Sequence, residues 1–174
     1  MNIVLFGFKN CGKTRISKAL SREIGWKLLD IDRVIEEIYL ETRGQSLSYS
    51  QIAKKHGMDF FRQVEREAVQ RVSAKDKKII ALGGGTPLFF DNLASLKRNG
   101  KMVLLNVDKE ELFRRIIKKG IPFFFDPEKP RKSFEELFQQ RIPRFEEIYD
   151  FKVDCNGKES EQIAEEIMGL VGKG

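Results

Sequence analysis

Cross-linking chemistry is nearly absent from this 174-residue chain, which holds two cysteines and one histidine. Cys11 and Cys155 show no C-x-x-C spacing and have no histidine partner, so free thiols are expected and a disulfide scaffold or structural zinc site is excluded. Long apolar runs are missing too. The N-terminal apolar stretch ends at Lys9, too short for the core of a signal peptide and far too short to span a bilayer. A cytoplasmic location without a membrane partner is therefore expected. There is no internal repeat, no low-complexity tract and no long basic arm. The net charge of +6 is spread over short clusters (54–55, 75–78, 118–119, 129–132) with acidic residues interleaved, which argues against a nucleic-acid partner. A modest positive field of that kind suits a protein whose ligands are small anions. With 41% hydrophobic and 33% charged residues, the composition is that of a folded soluble chain rather than a disordered one. Its length fits one domain over 1–174, with core enough to need neither disulfide nor metal, and a monomer is the expectation.

What the chain does contain is a complete G-x-x-x-x-G-K-[ST] pattern at Gly7-Phe8-Lys9-Asn10-Cys11-Gly12-Lys13-Thr14. It follows the apolar run Asn2-Ile3-Val4-Leu5-Phe6 and opens a segment with Ile16, Ala19, Leu20 and Ile24 on one helical face. A strand thus delivers the loop to a helix N-terminus. There the backbone N–H groups of residues 8–14 can cradle polyphosphate oxygens, and the helix dipole adds partial positive charge. Lys13 would reach the β- and γ-phosphates of a nucleoside triphosphate, and the Thr14 hydroxyl would ligate Mg²⁺.

Strand and helix signals alternate along the rest. Residues 26–29 read as a second strand, 31–40 as a helix, 49–56 as a short helix, and 60–72 as another with Phe60, Phe61, Val64, Ala68 and Val72 on one stripe. Residues 78–82 form a third strand ending in a triple glycine, 91–98 a short helix, 102–107 a fourth strand and 109–118 the helix after it. Residues 134–149 read as a helix interrupted at Pro143, 151–154 as a fifth short strand, and 160–171 as the closing helix. Apolar strands alternating with helices predict an α/β fold, a five-stranded parallel sheet with helices on both faces. The irregular stretch 119–133, rich in Gly, Pro, Lys and Phe, reads as a lid rather than a plain connection.

Ligands of such sheets bind beyond the carboxyl ends of the strands, so the residues just after each strand decide function. Strand 1 is followed by the phosphate loop, strand 2 by Asp30-Ile31-Asp32, and strand 3 by Gly83-Gly84-Gly85. Two carboxylates beside a phosphate loop can supply a Mg²⁺ partner and an acceptor for a hydroxyl proton, although Asp30 could equally cap the next helix. The triple glycine allows a ligand close to the backbone, or marks a tight turn. Arg62 stands three residues before Glu65, the spacing of a surface ion pair, and Arg141 precedes Ile142-Pro143. If both converged on the strand ends, their guanidinium forks would suit an acceptor bearing a carboxylate. Spacing alone does not show convergence.

Taken in order, these motifs resemble the shikimate kinase family over nearly the whole chain: the phosphate loop, the D-x-D at Asp30 and Asp32, F-R-x-x-E at Phe61-Arg62-Gln63-Val64-Glu65, the triple glycine, and R-x-P at Arg141-Ile142-Pro143. The resemblance implies a P-loop NTPase fold of the nucleoside-monophosphate-kinase type. It also implies an acceptor-binding helical region at about 31–62, a mobile lid at about 119–133, and phosphorylation of the 3-hydroxyl of shikimate by ATP with Mg²⁺. By likeness, Asp32, Phe61, Arg62, Gly83, Gly84, Gly85 and Arg141 bind shikimate, with Asp32 as the base and Lys13 the phosphate-binding lysine. Gly7, Asn10, Cys11, Gly12, Lys13, Thr14 and Arg15 hold the nucleotide phosphates, joined by Arg114 and Lys158 toward adenine and by Lys119 at the lid. Thr14 and Asp30 take the magnesium side. Related readings are a gluconate or nucleotide kinase, or a non-catalytic relative that binds ligand. The chain also departs from the family pattern. Ile121-Pro122-Phe123-Phe124 stands where lids of the family carry Arg-Pro-Leu-Leu, Ile52-Ala53 replaces a pocket aromatic, and Met58 replaces a glutamate. With the lid arginine missing, Lys119 is the expected substitute cation and Arg131 the second.

Overall fold

Every residue of the first strand, β1 (Asn2–Phe6), is buried, which requires cover on both faces of the sheet. In the computed structural model, which describes residues 1–172, this strand lies at the centre of a five-stranded parallel sheet; the last two residues of the span 1–174 lie outside the described residues. The strand order is β2-β3-β1-β4-β5, with β2 (Lys27–Asp30), β3 (Lys78–Ala81), β4 (Gly100–Asn106) and β5 (Phe151–Asp154). Leu5 pairs with Ala81 on one side and with Val103 on the other, so β3 stops one residue short of the end of β1 while β4 runs two residues past it, all three pointing the same way. Their following loops therefore share one rim. The order reverses direction at β1, and the crevice at such a switch point is where open α/β sheets bind ligands.

The helix after β1, α1 (Lys13–Ile24), starts at Gly12 with φ 106° and has no side-chain cap, leaving its first N–H groups available to a ligand. Asp30 closes β2 by pairing with Ala81, and its side chain caps α2 (Ile31–Arg43) by accepting the N–H of Asp32. That cap explains why strand 2 ends one residue later than the apolar run suggests. The two helices expected at 49–56 and 60–72 meet end to end as α3 (Tyr49–Ser73), opened by a Ser48/Gln51 capping box and broken at Gly57 (φ 83°, ψ 170°). After β3, a turn of 3-10 helix at Thr86–Leu88 leads into α4 (Phe90–Arg98), and α5 (Lys109–Lys119) follows β4.

Two expectations change at α6 (Pro130–Glu146). It starts four residues earlier than its apolar pattern suggests, because Pro130 occupies a first-turn position where a missing N–H costs nothing. It also continues through Pro143, whose lost hydrogen bond falls in the last turn, so the expected interruption is absent. The irregular stretch accordingly narrows from 119–133 to 120–129. On α6, Phe134, Phe138, Arg141 and Phe145 recur at helical spacing and share one face. Phe134 and Phe138 pack on Phe8 of the phosphate loop at 5.5 and 5.6 Å between ring centroids, and Phe145 packs on Phe6 at 5.5 Å. These contacts seat Arg141 on the rim. The closing helix, α7 (Ser160–Val171), covers the sheet beside β5.

The bend at Gly57 sets the direction of the segment 49–56. A side chain at this position would meet no atom within 4 Å, so any penalty for substitution is conformational. Gly57→Ala is expected to lower unfolding stability by about 1–3 kcal/mol, because this backbone region is all but closed to L-residues. Urea denaturation measures it; an unchanged midpoint would mean that the helix straightens there without strain.

Candidate active site

Around the phosphate loop the backbone itself is shaped for an anion. A methyl on Gly7 would stand 2.7 Å from the Leu105 carbonyl oxygen, and Asn10 holds φ 65°, so neither position follows ordinary side-chain geometry. Lys13 turns back over the loop and donates to the carbonyls of Gly7 at 3.0 Å and Phe8 at 2.9 Å, the position a phosphate would claim from it. Cys11 is buried beneath the loop with its sulfur 3.4 Å from the Lys13 ammonium, and Cys155 is also a free, buried thiol. Burial pushes the Cys155 thiol up to about 12, so it stays protonated.

The two arginines do converge, and the triple glycine is where they meet. A methyl on Gly84 would stand 3.0 Å from Nη1 of Arg141, and one on Gly85 would stand 3.2 Å from Nη2 of Arg62 and 3.5 Å from Nη2 of Arg141. A methyl on Gly83 would stand 3.3 Å from Oδ1 of Asp32. The Arg62–Glu65 pair exists, but not on the surface. Glu65 is 2% exposed, accepts from Arg62 Nη1 at 2.6 Å and from the Thr86 hydroxyl at 2.8 Å, while Asn92 donates to the Thr86 carbonyl. Arg62 also lies over the Phe89 ring, 4.5 Å from its centroid. Burial, with Arg62 repulsion and against Glu65 attraction, pulls the Arg141 guanidinium down to about 10, still charged at neutral pH.

Burial, aided by Asp30 and Glu65 and opposed by Lys13 and Lys9, pushes the Asp32 carboxyl up to about 6. Its ionised form is thus the stronger base for a hydroxyl proton near neutral pH. Asp30 uses Oδ1 for the Asp32 N–H and leaves Oδ2 to another partner.

The outer residues are less gathered. Arg114 forks onto Glu111 at 2.8 and 2.8 Å, Lys158 binds Glu166 at 2.6 Å, and Arg15 lies 3.7 Å from Glu159. Arg114 and Lys158 therefore flank the loop on separate elements, each satisfied by its own carboxylate. Lys119 is exposed at the end of α5, whereas Arg131 is held by Glu110 and Glu135. Phe61 is buried behind Arg62. Three neighbours escaped the sequence reading. Glu65 was legible only as half of an ion pair. Tyr49 brings a phenol whose pKa is raised by burial and by the fields of Asp32, Glu36 and Asp30, putting an aromatic hydroxyl near the carboxylates where Ile52-Ala53 has none. Lys9, at a position the loop pattern leaves open, is the third.

A phosphate loop at a sheet switch point, faced by a basic carboxylate and two guanidinium forks, defines a P-loop phosphotransferase with a small acidic acceptor. The chain belongs to the shikimate kinase family, whose sequence model, described as Shikimate kinase, matches residues 9–171. It is similar to the shikimate kinase of Moorella thermoacetica, 36% identical over 166 residues that cover 95% of this chain and 91% of that one. The shikimate kinase of Thermodesulfovibrio yellowstonii is 32% identical over 167 residues, covering 96% and 92%. Among solved structures, shikimate kinase from Acinetobacter baumannii in complex with shikimate superposes with a TM-score of 0.88 at 24% identity, covering 99% and 93%, a likeness of fold.

The raised Asp32 pKa has a consequence for stability. The folded chain holds this proton more tightly than the unfolded chain does, so ionisation opposes folding fully above pH about 6 and not at all below the ordinary 3.8. Asp32→Asn is therefore expected to raise the thermal midpoint at neutral pH, with the gain shrinking to nothing as the pH falls from 6 toward 4. Equal midpoints across that range would show that Asp32 ionises without penalty.

Proposed function

We propose that the chain acts as its family name states: it transfers the γ-phosphoryl group of ATP to the 3-hydroxyl of shikimate, giving shikimate 3-phosphate and ADP on the route to chorismate and the aromatic amino acids. The observation that carries this reading is the meeting of Asp32, Arg62 and Arg141 around the triple glycine, on the same rim as the phosphate loop. Shikimate offers that site a carboxylate for the two forks and a hydroxyl for the base. A nucleotide acceptor would need groups that read a base and a phosphate, which this set does not supply.

In this reading Asp32 takes the proton of the attacking hydroxyl, Arg62 and Arg141 grip the carboxylate, and Gly83, Gly84 and Gly85 let the ring lie against the backbone, with Phe61 behind it. Gly7, Asn10, Cys11, Gly12 and Thr14 cradle the phosphates, Lys13 leaves its carbonyl partners for the β- and γ-oxygens, and Arg15, Arg114, Lys119 and Lys158 border the nucleotide. Magnesium fits the donors present, since it takes hard oxygens, usually one or two carboxylates together with substrate phosphates. Thr14 through its hydroxyl and Asp30 through its second oxygen would hold it, and when bound it would neutralise charge between the β- and γ-phosphates. The acceptor region spans about 31–62 and the lid 120–129 within a single domain. We assign the enzyme to the cytoplasm as a monomer working on small molecules, without nucleic acid or membrane; among the described residues no helix is long and apolar enough to cross a membrane.

In a coupled assay of ADP release, shikimate is expected to stimulate turnover and gluconate or a nucleoside monophosphate to leave it at background; faster turnover with gluconate would refute the assignment. Asp32→Asn should lower kcat by roughly 10²-fold or more with little change in ATP affinity. Wild-type kcat/KM should fall as the pH drops through about 6, where Asp32 takes up its proton. Arg141→Lys keeps the charge but loses the fork, and its effect should fall mainly on KM for shikimate.

A further inference from the structure

Phosphoryl transfer spreads negative charge over the oxygens of the migrating group, and kinases meet it with cations delivered on closure. In this chain the lid position that would carry such a cation is Ile121, and Arg131 is committed to Glu110 and Glu135. Lys9 is differently situated. It belongs to the phosphate loop, two residues after Gly7, and its backbone nitrogen lies 3.7 Å from where a methyl on Gly84 would stand. The residue therefore stands between the nucleotide loop and the acceptor glycines. Its ammonium lies over Phe124, 5.8 Å from the ring centroid, so a lid aromatic covers it from above. Lys54, on the acceptor side, lies over Phe123 at 5.4 Å in the same way.

Among the described residues Lys9 has no carboxylate within ion-pair distance, although it is partly buried. Burial, with Lys13, Lys119 and Arg141 nearby and only Asp32 in opposition, lowers its pKa from the usual lysine value. A half-buried cation among three others is unfavourable until an anion arrives. A triphosphate terminus is such an anion. The aromatic face of Phe124 offers the ammonium a weaker resting place until then.

We propose that the cation missing from the lid has moved onto the phosphate loop: the Lys9 ammonium binds the oxygens of the transferring γ-phosphoryl group, and Phe124 of the lid holds it in position. This rests on the kinase reading above. As the shikimate oxygen forms its bond to the γ-phosphorus, the bond to the β–γ bridging oxygen breaks and its electron pair leaves with ADP. The hydroxyl proton passes to Asp32, and Lys9 gives hydrogen bonds without being consumed.

Lys9→Met keeps the length of the side chain and removes its charge. It is expected to lower kcat by about 10²-fold, the usual effect of deleting one donor to developing charge, while ADP affinity changes by less than about threefold. Calorimetric titration with ADP and aluminium fluoride in the presence of shikimate, a mimic of the transferring group, should show the affinity loss that ADP alone does not. Lys9→Arg should retain kcat within about tenfold of wild type, and Ile121→Arg added to Lys9→Met should recover at least about tenfold, since either returns a cation to the same oxygens. Wild-type turnover of shikimate in the same assay decides the underlying reading separately. If the wild type turns over and Lys9→Met matches its kcat, or if Lys119→Ala shows the loss instead, Lys9 is not that cation.

Discussion

Two guanidinium groups packed side by side repel each other, and the acceptor pocket depends on the buried carboxylate that holds them in place. Glu65 accepts from Arg62 and Thr86 while contributing attraction to Arg141, which binds α3, the loop after β3 and α6 into one charged cluster. Removing one partner of such a buried pair leaves an uncompensated charge, a loss that typically reaches about 3–5 kcal/mol. Thr86 and Asn92 extend the network into the turn behind the glycines.

Beyond Glu65, the rim sets the carboxylates of Asp30 and Asp32 against four cations. Lys9, Lys13, Arg62 and Arg141 crowd the same space, and burial beside like charges lowers the pKa of Lys9 and Arg141, a cost that a polyphosphate and a carboxylate would relieve. Stability given up at a site in this way is a common companion of function. The same burial that weakens the fold at Asp32 raises its basicity.

Much of this was legible in the chain, for reasons that differ by residue. The phosphate loop could be read because its backbone path demands Gly7 and Gly12, and the strands because burial on both faces leaves unbroken apolar runs. Asp32, Arg62 and Arg141 were legible as residue types in order, but their meeting is a property of topology: they lie on α2, α3 and α6, and only the packing of Phe134, Phe138 and Phe145 turns Arg141 inward. Lys9 left no signal because loop patterns constrain backbone-bearing positions and leave the intervening side chains free. The start of α6 was missed because Pro130 breaks an apolar pattern while suiting a helix's first turn. The interruption at Pro143 was overestimated because the helix was about to end there anyway.

The seating of α6 divides the chain into parts that tolerate change differently. Three phenylalanines clamp this helix to the sheet and the phosphate loop, so it behaves as a fixed axle bearing Arg141, about 16 Å of helix beyond Pro130. Residues 120–129 lie outside that grip, tied to the core through the buried Phe125, and the proposed lid movement falls to them. An insertion of one residue between Pro130 and Arg141 would rotate the guanidinium by about 100° and carry it off the rim. Drift in length within this lineage should therefore collect on the lid side of Pro130 and stop abruptly at the helix.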